Sequence, residues 1–261
     1  MNHRKRPVSL GEGWQSELCL VRDQDGLLSV QKTYGIDKQW RRSHATDALV
    51  AMRSYRAWLE KNTITTAQST TERLIKTPQG WLLSIVQPYL GADCQMKILS
   101  WQRKNQFEQA RIVFVNLLRV VCHVGVKPYP PMFRCEIKPR DFCLDGNDNL
   151  ILVDTFPPVL ANRHNRIVIA HRQLNKCCIA DRERQEVLEI TGSVCGLLRN
   201  LCEHMMSIYP RASKQWREET LRLASGIGPD LASLLEARLS SKATKDKIQL
   251  LCSRLRTRNL Q

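Results

Sequence analysis

Long uninterrupted apolar stretches are missing from this sequence. The most apolar one, Ala110 to Val126, is broken by Arg111, Asn116, Arg119 and His123. Spanning a bilayer takes about 20 largely unbroken apolar residues, so no transmembrane segment is expected. The C-x-x-C spacing is missing too. The ten cysteines (Cys19, Cys94, Cys122, Cys135, Cys143, Cys177, Cys178, Cys195, Cys202 and Cys252) never form a C-x-x-C pair. Structural zinc sites use such pairs because one turn must present two thiolates to one ion, so none is expected here. Several of these thiols lie in apolar runs and read as small hydrophobes. His123, His164, His171 and His204 likewise lack metal-ligand spacing. Trp14, Trp58, Trp81 and Trp101 stand in no basic–aromatic repeat, so they read as packing anchors rather than stacking platforms. Internal repeats and low-complexity tracts are absent. Hydrophobic residues make up 43% and charged residues 25% of 261 positions, an ordinary globular composition that argues against disorder.

Acidic residues are also scarce. Twenty-five acids face 40 bases, leaving a formal net charge of +15. Such a field attracts anions: nucleic acid, nucleotides, an acidic protein or a membrane surface. The excess is concentrated. Arg163, Arg166, Arg172, Lys176, Arg182 and Arg184 face only Asp181 and Glu183, and the tail sets Lys242, Lys245, Lys247, Arg254, Arg256 and Arg258 against Asp246. The start, Met-Asn-His-Arg-Lys-Arg, leads into Pro-Val-Ser-Leu-Gly-Glu-Gly rather than an apolar core. That predicts no secretory signal and a cytoplasmic location.

The first ninety residues predict strand, strand, strand, helix, strand, strand. A turn at Gly11-Glu12-Gly13 precedes the alternating run Glu17 to Val21, and Asp25-Gly26 signals a hairpin into Leu27 to Lys32. Ala48, Leu49, Met52, Tyr55 and Leu59 mark one face of a helix over His44 to Lys61. Strands Glu72 to Lys76 and Trp81 to Val86 are joined by Pro78-Gln79-Gly80. After Pro88-Tyr89-Leu90-Gly91 helices dominate: Phe107 to His123, Arg184 to Met206, Lys214 to Ser225, Pro229 to Leu239 and Lys245 to Arg256. Between the first two lies a hairpin, Phe142 to Asp145 and Leu150 to Val153, turning at Gly146-Asn147-Asp148-Asn149. The fold class expected is α+β, with a sheet lobe over 7–90 and a helical lobe over 91–261.

Four motifs fall along this order. Leu10-Gly11-Glu12-Gly13-Trp14-Gln15-Ser16 is glycine-rich, and glycines let backbone amides approach a phosphate. Ser29-Val30-Gln31-Lys32 places a lysine in the third strand. Glu136-Ile137-Lys138-Pro139-Arg140-Asp141-Phe142 precedes the hairpin, and Val153-Asp154-Thr155-Phe156 follows it. Together they resemble the phosphate-covering loop, V-A-I-K lysine, D-x-K-P-x-N-F catalytic loop and metal-binding D-F-G of the protein-kinase-like superfamily. The phrase Val-Asp-Thr-Phe-Pro-Pro is closer to atypical bacterial kinases and aminoglycoside phosphotransferases. The resemblance covers roughly Pro7 to Leu235.

That resemblance implies a two-lobed kinase-like fold using ATP and Mg2+. Lys32 and the backbone of Gly11, Gly13 and Ser16 would hold phosphates. Asp154 and Asp141 would bind magnesium, and Gln87 to Leu90, with Gln87 and Tyr89, would connect the lobes and meet adenine. Glu136 would orient or deprotonate an acceptor hydroxyl, and Lys138 would neutralise the transferred phosphoryl group. The basic segment 163–184 would receive an acidic or phosphorylated partner.

Departures from the pattern are specific. Ser16 replaces the third glycine, and the glutamate that pairs with the strand lysine has no clear counterpart among Asp47, Arg53 and Glu60. Glu136 stands for the base aspartate, one methylene longer, and displacing a base by about an ångström can cost on the order of a hundredfold in rate. Asp141 replaces asparagine, Arg134 and Cys135 replace histidine and arginine, and Thr155-Phe156 replaces Phe-Gly. A catalytically inactive pseudokinase serving as an interaction module is therefore one alternative. Another is a nucleic-acid binder, because Gly226-Ile227-Gly228-Pro229-Asp230 within 223–235 resembles a helix-hairpin-helix turn, although Asp230 would repel the phosphate.

Overall fold

The computed structural model describes residues 8–12, 16–22, 26–36, 40–69, 71–125, 136–155, 160–161, 167–168 and 193–258. It is a mixed α+β protein in which an antiparallel sheet is followed by a helical region. The chain divides into two compact units. No helix among the described residues is long and apolar enough to cross a membrane.

The first unit is built on strands β1 (Val8–Glu12), β2 (Ser16–Arg22), β3 (Leu28–Tyr34), β4 (Thr71–Thr77) and β5 (Gly80–Pro88), with helix α1 (Arg42–Lys61) between β3 and β4. Their spatial order is β1-β2-β3-β5-β4, every pair antiparallel. The expected succession of elements is present. One turn differs. Gly11 and Glu12 pair with Leu18 and Glu17 as ladder residues, past an irregularity in β1, so they are strand rather than turn, and Gly13 lies outside the described residues. Arg22 pairs with Leu28, so β2 and β3 form the expected hairpin, and Gly26 adopts φ +78° with its carbonyl accepting from Arg22 Nη1.

Ala45, Ala48, Met52, Tyr55 and Leu59 recur every three or four positions and are the buried face of α1. The upper part of that face packs on Tyr34, Leu83, Ile85 and Trp40, with Leu49, Leu74 and Trp81 at the margin. Trp58 and Trp81 act as packing residues, as expected: Trp58 stacks on Tyr55 at 5.9 Å, and Trp81 joins this core. Gly35 ends β3 at φ +88°, and a Cβ there would lie 2.8 Å from the Trp40 ring. Gly35→Ala combines a left-handed backbone with that clash and is expected to cost roughly 1–3 kcal/mol. Urea unfolding of the variant beside wild type measures it.

The second unit contains α2 (Cys94–Arg103), α3 (Phe107–Gly125), a 3-10 turn at Pro139–Asp141, the hairpin strands β6 (Phe142–Leu144) and β7 (Leu150–Leu152), and α4 (Val194–Ile208), α5 (Ser213–Ile227), α6 (Pro229–Ser240) and α7 (Lys242–Arg258). Helix α2 has no counterpart in the sequence reading. Asp93 caps it by accepting the Met96 N–H at 2.8 Å, a signal that was available in the sequence. The observed α4 begins at Val194, and the expected start near Arg184 lies outside the described residues. Trp216 of α5 is the centre of the aromatic core, 5.0 Å from Phe107 and 5.1 Å from Phe114, with its indole N–H donated to the Tyr209 carbonyl.

One stretch joins an unexpected partner. The sequence places everything after residue 90 in the helical lobe, yet Leu152 and the described residues that follow it, through a short ladder of β8 (Leu160–Ala161) and β9 (Ile167–Val168), belong to the first unit. The reason is backbone hydrogen bonding. Leu152 donates to the Thr65 carbonyl and accepts from the Ala67 N–H, both at 2.9 Å.

Candidate functional site

Strand pairing brings the glycine-rich motif and the lysine into one row. Gly11 pairs with Leu18, Leu18 with Lys32, and Lys32 with Ile85. Directly paired residues point to the same sheet face, as do residues two apart on a strand. Lys32 and Tyr34 therefore share the face covered by α1, with Ser16 directly opposite Tyr34. Gly11 lies two strand spacings from Lys32, on the order of 10 Å. Gly13 lies outside the described residues.

Lys32 is buried, and its Nζ donates to the carbonyl of Val153 at 2.6 Å. That carbonyl belongs to the peptide immediately before Asp154. The amine is thus fixed one peptide bond from the carboxylate that the sequence assigned to magnesium, and Asp154 itself is exposed. The chain is held there by the paired Leu152, whose neighbour Ala67 also accepts from the buried side chain of Gln87 at 3.1 Å. Thr155 is buried beyond it.

Helix α1 contributes no acid on its buried face, where every residue is apolar. Arg53 and Arg56 turn instead to Glu72 on β4, at 2.6 and 3.0 Å. Glu60 accepts from Thr66 and Gln68, and Asp47 is exposed. Basic residues of α1 thus tie the helix to the sheet.

The expected lobe connector is shorter than the sequence suggested. Gln87 and Pro88 are β5 residues paired with Val30 and Ser29, and the Tyr89 N–H donates to the Leu28 carbonyl at 3.1 Å. The Gln87 side chain holds Ala67, and only Leu90 and Gly91 remain outside this pairing before the first unit ends. Strand propensity of Ile85-Val86-Gln87 extended the ladder past the position assigned to adenine.

In the second unit, Glu136 and Lys138 form an ion pair at 2.5 Å, both partly buried. Asp141 closes the 3-10 turn, its N–H donated to the Lys138 carbonyl at 3.0 Å and its carboxylate 3.7 Å from Arg140 Nε. Burial pushes Asp93 above the usual carboxylate range, offset by the N–H groups of Met96 and Gln95 and by Arg140. The following turn is held by Asp145, which accepts from the N–H groups of Asn147 and Asn149 and from the Asn149 amide, lowering its carboxyl. The backbone is therefore hydrogen-bonded at Asp141 and again at the turn after it.

His204 of α4, which lacks metal-ligand spacing in the sequence, belongs to this neighbourhood. Burial holds its imidazole well below the ordinary 6.5, helped by the positive charges of Lys138, Arg140 and Lys247. A histidine depressed in the folded state binds fewer protons than in the unfolded chain, so its contribution is intact above about pH 6.5 and is lost as pH falls toward the lower folded value. Stability should drop on acidification from pH 7 to 5 by up to about 1.4 kcal/mol per pH unit from this group. His204→Leu should flatten that dependence, measured by urea unfolding across the same range.

The described residues contain no cluster of three or more His, Cys, Asp or Glu side chains able to hold a metal by themselves. A magnesium ion arriving with a nucleotide would need fewer protein ligands, because such ions keep waters and bind one or two carboxylates together with phosphate oxygens. Asp154 is an exposed carboxylate. Burial raises the thiols of Cys94 and Cys202 to about 12, which keeps both inert.

The Gly226-Ile227-Gly228 segment links α5 to α6. The Gly228 N–H donates to the Ala224 carbonyl and its carbonyl accepts from Ala232, so this amide is taken up within the helix pair. Asp230 lies in the first turn of α6, where an acid complements the helix dipole. The geometry is that of a packing turn. Of the 163–184 segment only Ile167–Val168 falls among the described residues.

No protein-family model and no curated protein sequence matches this chain.

Proposed function

We propose that the protein is an ATP-dependent, kinase-like phosphotransferase that moves the γ-phosphoryl group to a hydroxyl acceptor. The observation that carries this reading is the clasp of Lys32 on the Val153 carbonyl, which presents a buried cation beside an exposed Asp154. A lysine so placed is preorganised to neutralise phosphate charge, and preorganised charge is where phosphoryl transfer obtains most of its acceleration. Asp154 takes the magnesium that accompanies the nucleotide, and Asp141 is assigned the second carboxylate. Magnesium supplies charge neutralisation on the phosphates. Glu136 orients the acceptor hydroxyl and accepts its proton, while Lys138 steadies the transferred group.

A second reading, nucleotide binding without turnover, is favoured by one observation: Lys138 holds the Glu136 carboxylate at 2.5 Å, which lowers its availability as a base. ATP binding and hydrolysis with magnesium or manganese separate the two. Turnover supports phosphotransfer, and binding alone supports the inactive relative. Absence of both overturns the proposal and moves the basic surface to the centre of the explanation.

A further inference from the structure

Strand β4 stands at the edge of its sheet. Among the described strands its seven residues pair with β5 alone, so one side of its backbone faces no other strand. Alternation decides which groups lie on that side, because successive residues of an antiparallel ladder direct their N–H and C=O to opposite edges. The Tyr89 N–H, one residue past β5, reaches the Leu28 carbonyl of β3 at 3.1 Å. Odd-numbered residues of β5 therefore bond to β3 and even-numbered ones to β4. Their partners Thr71, Arg73, Ile75 and Thr77 bond to β5, and Glu72, Leu74 and Lys76 direct their backbone groups outward. Among the described residues no hydrogen bond takes up those outward groups. The side chains at this edge are basic. Arg73 and Lys76 are exposed with no acid partner among the described residues, and Ile75 lies exposed between them. Glu72, the one acid of the strand, is already tied to Arg53 and Arg56 of α1. Exposed charges on an edge discourage pairing with a like strand. A second copy of a chain carrying +15 brings the same charges, whereas a strand of opposite charge is attracted.

We propose that the β4 edge is a docking site for an extended acidic peptide, which adds to the sheet as a further strand antiparallel to β4. Its backbone pairs with Glu72, Leu74 and Lys76. One acid lies opposite Lys76, an apolar residue opposite Ile75, and a second acid opposite Arg73. From its N-terminus the peptide therefore runs acid, apolar, any residue, acid. In strand addition the main-chain bonds supply affinity and the alternating side chains supply selectivity. The proposal does not depend on the phosphotransfer reading. Its test uses the full chain and the blocked heptapeptide Thr-Glu-Val-Thr-Glu-Thr-Thr, carrying a fluorophore and titrated by anisotropy at fixed ionic strength. Saturable binding should weaken about tenfold in Arg73→Glu and in Lys76→Glu, where a facing pair turns repulsive. Lysine in place of the first glutamate of the peptide should restore affinity for Lys76→Glu. Lys76→Pro removes an N–H that only the outer edge can use, a position where an edge strand accepts proline, and should bind far less than Lys76→Gln. Hydrogen exchange at the Glu72, Leu74 and Lys76 amides should slow when the peptide is added. No binding, equal affinity for a composition-matched peptide with adjacent glutamates, or unslowed exchange at those three amides overturns the proposal. So does slowing that appears without peptide and grows with protein concentration, which would make a second copy the occupant.

Discussion

Lys32→Ala and Asp154→Ala are each expected to cut magnesium-dependent ATP turnover by roughly a hundred- to a thousandfold, the loss seen when one preorganised electrostatic group is removed. The two substitutions act differently. Lys32→Ala removes a buried cation whose partner is a main-chain carbonyl at 2.6 Å, so it weakens the hold on phosphate and leaves the Val153 carbonyl without that donor. Asp154→Ala removes an exposed carboxylate and should leave the fold intact. Binding of metal-free nucleotide should therefore fall in the lysine variant and persist in the aspartate variant. Equal turnover in wild type and both variants would separate any ATPase activity from this site.

Glu203→Ala is expected to destabilise the helical unit by about 3–5 kcal/mol, because it breaks a buried ion pair from one side only. Glu203 is 1% exposed and meets Lys247 of α7 at 2.9 Å, Arg199 at 3.6 Å and the Thr244 hydroxyl at 2.9 Å. Lys247 also donates to Asn200 Oδ1 at 3.3 Å. Removing the carboxylate deprives Lys247 and Arg199 of the buried anion they share between α4 and α7. The companion variant Glu203→Leu with Lys247→Met removes both charges and should recover much of the loss. Urea unfolding of the three proteins reads the effect, and a loss below about 1 kcal/mol in Glu203→Ala would mean that the cations reach water instead.

Local chemistry made much of the architecture legible. The 3.6-residue recurrence of Ala48, Met52, Tyr55 and Leu59 marked α1, and alternation marked the strands on either side of it. Helix α2 escaped because its ten residues mix Lys97 and Arg103 among Met96, Ile98 and Leu99, leaving Asp93 as its clearest signal. Gly11 is a strand residue because glycine permits a turn without requiring one, and pairing with Leu18 keeps it in the ladder. The site was partly legible. Lys32 fell on β3 as expected, whereas Tyr34, Ser16 and His204 acquired their surroundings from residues far away in sequence.

By itself the sequence determined the order of the five strands and the helix of the sheet unit, the excess of positive charge, and the residue types at 32, 136–141 and 154, because periodicity, composition and identity are properties of neighbours along the chain. Tertiary structure alone decided that Leu152 to Thr155 belong to the sheet unit, that Lys32 meets the Val153 carbonyl, and that Arg53 and Arg56 turn to Glu72. Those outcomes depend on hydrogen bonds and ion pairs that a buried polar group must find wherever the fold brings a partner within reach, and no local pattern specifies which partner that is.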